Sequence, residues 1–167
     1  MAEINSTPSL ELINKLFEYK DGKLIRKITT ASNAIAATEA GNFDVSQGYW
    51  RVYIEGKKYK VHRVIFFMHH GFWPKFVDHI DNNPKNNKIE NLREATISQN
   101  LQNKPKPTRN TSGYKNVYFN KNLKKWFVTF KLEKKLNYFG YFDKKEDAIK
   151  KSIEVREQLH GEFANHN

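Results

Sequence analysis

An α+β fold in two small domains follows from three features of the 167-residue sequence. Period-two alternation over residues 49–54 and 57–61, broken by Glu55-Gly56, predicts a β-hairpin. Residues 76–103 run as strand, long polar loop, strand and helix. Beyond the segment KPKPTRNTS, three strand candidates precede one last helix, predicting a three-stranded antiparallel sheet plus one helix. The expected division is a first domain at 1–103, a basic linker at 104–112 and a second domain at 113–167.

Each element has a local reason. Leu10, Ile13, Leu16 and Phe17 fall on one face at helical spacing, and Asp21-Gly22 then marks a turn. Leu24-Ile25-Arg26 is a strand candidate, and 29–42 reads as a loop. Arg63 to His70 is a compact apolar run ended by Gly71, hence a helix with glycine just past its end. The strand candidates 76–80 and 89–92 flank DNNPKNNK, which is almost pure turn chemistry. A helix starts at Thr96, with Gln99 three residues on as a capping box. Strands are expected at 114–120, 126–132 and 136–141. Asp143 is the expected cap of the final helix, whose apolar face holds Ala148, Ile149, Ile153 and Leu159. Gly161 ends it.

Composition narrows the function classes. The net charge is +11, and residues 104–167 hold +8 of it. Such a charge favours a polyanionic partner, nucleic acid or an anionic membrane surface. No apolar run is long enough to span a bilayer, and the N-terminus lacks the pattern of a signal peptide. With no cysteine, disulfides and thiolate chemistry are excluded. The expected compartment is the cytoplasm of a bacterial or phage-infected host cell.

The stretch VDHIDNNPKNNKIENLREATISQNLQN, residues 77–103, carries the chemistry. Phosphodiester hydrolysis needs a base to activate water and positive charge on the phosphate and leaving oxygen. His79 is a candidate general base. Asp78 offers a hard carboxylate oxygen suited to Mg²⁺ or Mn²⁺. Neighbours on a strand point to opposite faces, so the pair converges only at a strand end or bulge. The helix after Thr96 brings a further oxygen ligand, Asn100 or Asn103. His62, ahead of an apolar helix, reads as a packing or capping residue. Arg63 and Arg93 read equally as phosphate contacts or surface charges, and His69 and His70 suit a helix end.

This stretch resembles the HNH endonucleases of the homing, phage- and intron-associated branch. Val-Asp-His-Ile-Asp, Asn-Asn-x-Ile-x-Asn-Leu-Arg and Ala-Thr-x-x-Gln-Asn match in order and spacing, and Val61-His62-Arg63 matches the lead-in. The resemblance implies a ββα-metal finger over 76–103. It implies His79 as general base, Asp78 and Asn100 as metal ligands, and Asn91 as the residue that braces the loop. Asn100 stands where the literal motif has histidine, which suits Mg²⁺ better than zinc. The implied activity is metal-dependent cleavage of double-stranded DNA. One base and one metal pair predict nicking by a monomer. The rival readings are a DNA-binding regulator with an inactive finger and a basic structural or RNA-binding protein.

The second domain also carries a resemblance. Thr-Ser-Gly-Tyr-Lys-Asn-Val, Lys-Lys-Trp-Phe-Val and Tyr-Phe-Gly-Tyr-Phe-Asp-x-x-Glu-Asp-Ala are similar to the Apetala-type, ethylene-response DNA-binding domain. That resemblance implies a sheet whose open face enters the major groove. Alternation puts Tyr118, Asn120, Thr129, Lys131, Leu136 and Tyr138 on that face. Val117, Phe119, Val128, Phe130 and Phe139 go to the helix side. Lys115 aligns with a basic contact position of that family. Arg93 completes the expected DNA-binding set. Lys121, Lys124, Lys125, Lys134 and Lys135 are expected to meet phosphates or solvate hairpin tips.

Overall fold

The computed structural model describes residues 7–103, 110–133 and 135–166. It is a mixed α/β chain with small antiparallel sheets and, among the described residues, four α-helices. The chain divides into two compact units, Met1–Ile97 and Ser98–Asn167. Residues 104–109 of the expected linker, and Lys134, lie outside the described residues.

In the first unit, α1 (Leu10–Leu16) starts at Ser9, whose hydroxyl accepts from Leu12 N. Phe17 does not continue that helix. It opens β1 (Phe17–Lys20), which pairs with β2 (Lys23–Arg26) across the Asp21-Gly22 turn. Phe17 is buried in the core, so its burial outweighs the helical spacing that links it to Leu10 and Ile13. The expected 29–42 loop ends at a short strand, β3 (Asn42–Asp44). It joins the predicted hairpin, β4 (Tyr49–Ile54) and β5 (Lys57–Lys60), in a three-stranded sheet. One face of β4 buries Val52 and Ile54 against α2 (Val61–His70). Gly71, at φ 76°, caps α2 in the left-handed region where glycine carries no Cβ penalty.

Two short strands follow, β6 (Val77–His79) and β7 (Leu92–Glu94), paired antiparallel with Asp78 opposite Arg93. Ile89–Asn91 is a 3₁₀ turn, not the strand start that its sequence suggests. The β1–β2 turn packs on the loop between these strands. A Cβ at Gly22 would meet Lys88 N at 2.9 Å and the Asn87 carbonyl carbon at 3.1 Å. Tyr19 Oη accepts from Ile89 N at 3.1 Å, and Lys88 pairs with Asp21 at 2.9 Å.

The second unit contains most of α3 (Ile97–Asn103), then β8 (Val117–Asn120), β9 (Lys125–Leu132), β10 (Lys135–Phe142) and α4 (Lys145–His160). The sheet order is β10-β9-β8. Val117, Val128 and Phe130 pack with Ala148 and Val155 of α4 as the core. Three expectations need correction. Phe119 is 46% exposed, lying at the sheet rim against Trp126. Asp143 does not cap α4; Lys144 holds that position without a side-chain bond, and Asp143 pairs with Lys125 at 3.2 Å. Leu159 is exposed at the far end of α4.

Candidate active site and nucleic-acid interface

His79 is the last residue of β6 and is buried. Its Nε2 lies 3.0 Å from Asn87 Oδ1, and Asn87 is itself buried. An amide oxygen only accepts, so this bond fixes the proton on Nε2 and leaves Nδ1 as the basic nitrogen. The His79 ring lies edge-on to His62 at 4.8 Å and stacks against Tyr49 at 6.2 Å. Burial pushes the His79 imidazole below the ordinary histidine value. The Asn87 bond and the Asp81 and Asp78 carboxylates push the other way, and the burial effect wins. His79 is therefore neutral near pH 7 and able to accept a proton. Burial also holds His62 well below the ordinary value, with like-charge repulsion from His79, Lys60 and Arg63. His62 is buried in the first turn of α2 and packs against Tyr49 and His79, so of the two sequence readings it is the packing one that the structure matches.

Asp78 is buried, and Arg93 holds it from the neighbouring strand. Arg93 Nε and Nη2 both donate to Asp78 Oδ2, at 3.0 and 2.9 Å. Arg93 thus orients the carboxylate, a contact that the phosphate reading of its side chain does not anticipate.

The loop between the strands is organised by side chains. Asn91 Nδ2 donates to Asp81 Oδ1 at 2.9 Å and to Asn86 O at 2.8 Å, while its own Oδ1 accepts from Asp81 N at 3.0 Å. Asp81 also accepts from Asn83 N and Asn86 Nδ2. Burial alone would raise the Asp81 carboxyl, but these hydrogen bonds outweigh it and hold it below its usual range. Asn91 makes the contacts of a loop brace. Asn87 and Asp81 are the residues that sequence reasoning misses. Asn87 is one of four asparagines in 82–87, and only the fold singles it out by burying it under His79. Asn100 falls on α3, in the second unit, and Asn103 beside it is buried, its carbonyl accepting from Asn165 at 2.5 Å.

The second unit's open sheet face carries rings as well as the expected residues. Tyr118 stacks on Phe127 at 5.6 Å, and Phe127 neighbours Tyr138 and Tyr141 at 5.9 and 5.7 Å. Tyr118, Lys131, Leu136 and Tyr138 are exposed there. A register shift between Tyr138 and Tyr141, at Gly140, returns Tyr141 to this face, so alternation counted through the strand misses it. Thr129 is buried and presents little surface to a ligand. Asn120 Oδ1 accepts from Asn122 N and Leu123 N, both at 3.0 Å, and so closes the β8–β9 turn. Lys115 Nζ donates to Asn165 O at 3.1 Å, and burial lowers its ammonium to about 8.

Among the described residues, no group of three or more histidine and carboxylate side chains converges as a metal site, and no helix is long and apolar enough to cross a membrane. The oxygen donors that the sequence offers, a carboxylate and an amide, still suit Mg²⁺. That ion commonly takes one or two carboxylates and completes its shell with water and substrate phosphate.

Comparison with known proteins agrees with this region. The profile of a family described as HNH endonuclease matches residues 59–102, which run from β5 through α2, β6 and β7 to α3. A curated relative, Protein 3.8 of Escherichia phage T7, is 37% identical over 89 residues, covering 53% of this chain and 73% of its own length. No solved structure matches the chain. With His79 buried on Asn87, Asp78 tied to Arg93 and the whole constellation inside the matched residues, the chain belongs to the HNH endonuclease family.

Proposed function

We propose that the protein is a metal-dependent endonuclease of the homing, phage-associated kind that hydrolyses phosphodiester bonds in duplex DNA. The observation that carries this reading is the buried His79 whose Nε2 lies 3.0 Å from the amide oxygen of the buried Asn87. His79 Nδ1 takes the proton of the attacking water. Asn87 keeps the ring in the competent tautomer. Arg93 holds the Asp78 carboxylate in one orientation. Asn91 and Asp81 keep the intervening loop closed under His79. Asp78 would hold Mg²⁺ or Mn²⁺ on β6, and Asn100 is carried as the second ligand that the resemblance to the ββα-metal finger implies. The ion, when bound, supplies charge stabilisation at the phosphate and leaving oxygen.

The second unit is a DNA reader of the Apetala type, presenting Tyr118, Lys131 and Tyr138 to the groove. One finger attacks one phosphodiester, so the protein works as a monomer that nicks. The test is incubation of supercoiled plasmid with the protein in Mg²⁺, in Mn²⁺ and in EDTA. Open circles that require the metal and carry 5′-phosphate ends support the reading. Plasmid left intact in both metals, under conditions where the protein binds it, contradicts it.

A further inference from the structure

A cleft of about 300 Å³ in the first unit is lined by Arg51, Lys58, Lys60 and Arg63, with Tyr59 and Trp73. Arg51 and Lys60 are directly opposite each other on β4 and β5, and Lys58 lies two residues from Lys60 on the same face. Like charges placed opposite each other on a sheet destabilise it. The neighbouring carboxylate, Asp44 on β3, lies 3.4 Å from Arg51 Nε and leaves the other cations unbalanced. Arg63 Nη2 donates to Pro74 O at 2.8 Å, but its Nε is buried without a hydrogen-bond partner among the described residues, whereas Arg51 Nε has the Asp44 carboxylate beside it. A buried, unmet guanidinium N–H is costly unless something fills it.

The α2 helix begins in the same place. Its first turn holds no acidic residue, and Lys60 at its N-cap makes no side-chain capping bond. The positive end of the helix thus adds to the cations instead of being offset. Burial and the charges of Arg51 and Arg63 lower the Lys60 ammonium, so the group repels its own charge. One aromatic ring links the cleft to the candidate base. Lys60 Nζ sits 4.1 Å from the centre of the Tyr49 ring, and that ring packs on His62 and His79.

We propose that the Arg51–Lys60–Arg63 cleft binds one backbone phosphate of the DNA strand whose neighbouring phosphodiester is presented to His79. This rests on the nuclease reading above and gives it a phosphate subsite. The cleft takes a phosphate through guanidinium forks and an uncapped helix end, and it reads no base.

The experiment measures binding of a short duplex in EDTA across a salt series, by fluorescence anisotropy. Lys60→Gln with Arg51→Gln should weaken binding about tenfold and reduce the slope of log K against log salt by about one, as loss of one phosphate contact does. Lys15→Gln with Lys20→Gln removes two exposed charges outside the cleft and should change neither by more than twofold. Lys60→Gln alone leaves the Arg51–Asp44 pair in place and gives the same answer if the double variant does not fold. A wild-type slope in the cleft variants, or an equal loss in the Lys15/Lys20 control, overturns the proposal. Binding in EDTA is read without cleavage. Wild-type protein that binds but never cuts therefore counts against the nuclease reading alone, and an unchanged slope against the cleft alone.

Discussion

His79 Nε2 and Asn87 Oδ1 lie 3.0 Å apart, and both side chains are buried. Through that bond one asparagine decides which nitrogen of His79 is basic. Asn87→Ala should lower kcat by about 10- to 100-fold, the usual worth of an orienting partner. The bond raises the His79 pKa, so its loss should move the acid limb of the kcat/KM profile to lower pH. Catalysis needs the neutral imidazole, so the rate rises with pH through that limb. Asn87→Asp keeps the acceptor and adds charge. It should recover part of the rate and shift the limb upward. A pH profile unmoved in both variants would remove Asn87 from the site.

Gly22 sets the height of the loop that carries Asn87. It has φ 82°, and a Cβ there would strike Lys88 N and Asn87. Gly22→Ala should lose about 1–3 kcal/mol of stability from backbone strain alone. It should also reduce the cleavage rate, because the loop has to yield. Gly56, at φ 74° with open space around it, provides the comparison. Gly56→Ala should show the strain in urea denaturation with the cleavage rate unchanged.

Arg93 and Asp78 form a cross-strand pair with side chains 14% and 5% exposed. Removing one partner of such a pair leaves a buried charge unmet, at a cost of about 3 kcal/mol. Arg93→Gln should therefore lower the urea midpoint markedly. Arg93→Gln with Asp78→Asn should regain part of that loss, since no buried charge remains. A single variant as stable as wild type would mean that water already reaches Asp78.

On the second unit's sheet, Tyr138→Ala and Lys131→Ala should weaken duplex binding and site discrimination more than Lys124→Ala, which alters a turn between strands. Asn120→Ala should instead lower the melting temperature, because its amide holds that turn. Equal binding losses for Lys131 and Lys124 would indicate charge alone, with no reading face.

Much of this arrangement is legible in sequence. Alternation over 126–132 separates Val128 and Phe130 from Thr129 and Lys131, because a strand buried on one side has no other pattern available. The spacing from Asp78 to His79 to Asn91 locates the candidate site. Alternation gives a face but not a depth, so it cannot tell that Thr129 is buried or that Phe119 is exposed. It also loses count at the register shift before Tyr141. Asn87, Asp81 and the Arg93–Asp78 pair depend on which loop atoms close over which strand. The turn residues of 81–88 form no periodic pattern from which that could be read. The Arg51–Lys60 opposition follows from the two-residue Glu55-Gly56 turn, which sets Ile54 opposite Lys57 and so fixes the hairpin register.

The most direct measurement is a plasmid time course in Mg²⁺ with wild-type protein and with His79→Ala, at protein concentrations where both bind DNA equally. Wild type should convert supercoiled plasmid to open circles before any linear form appears. His79→Ala should be slower by about two to four decades, the usual worth of a general base, with binding retained. Cleavage by His79→Ala at the wild-type rate would contradict the account.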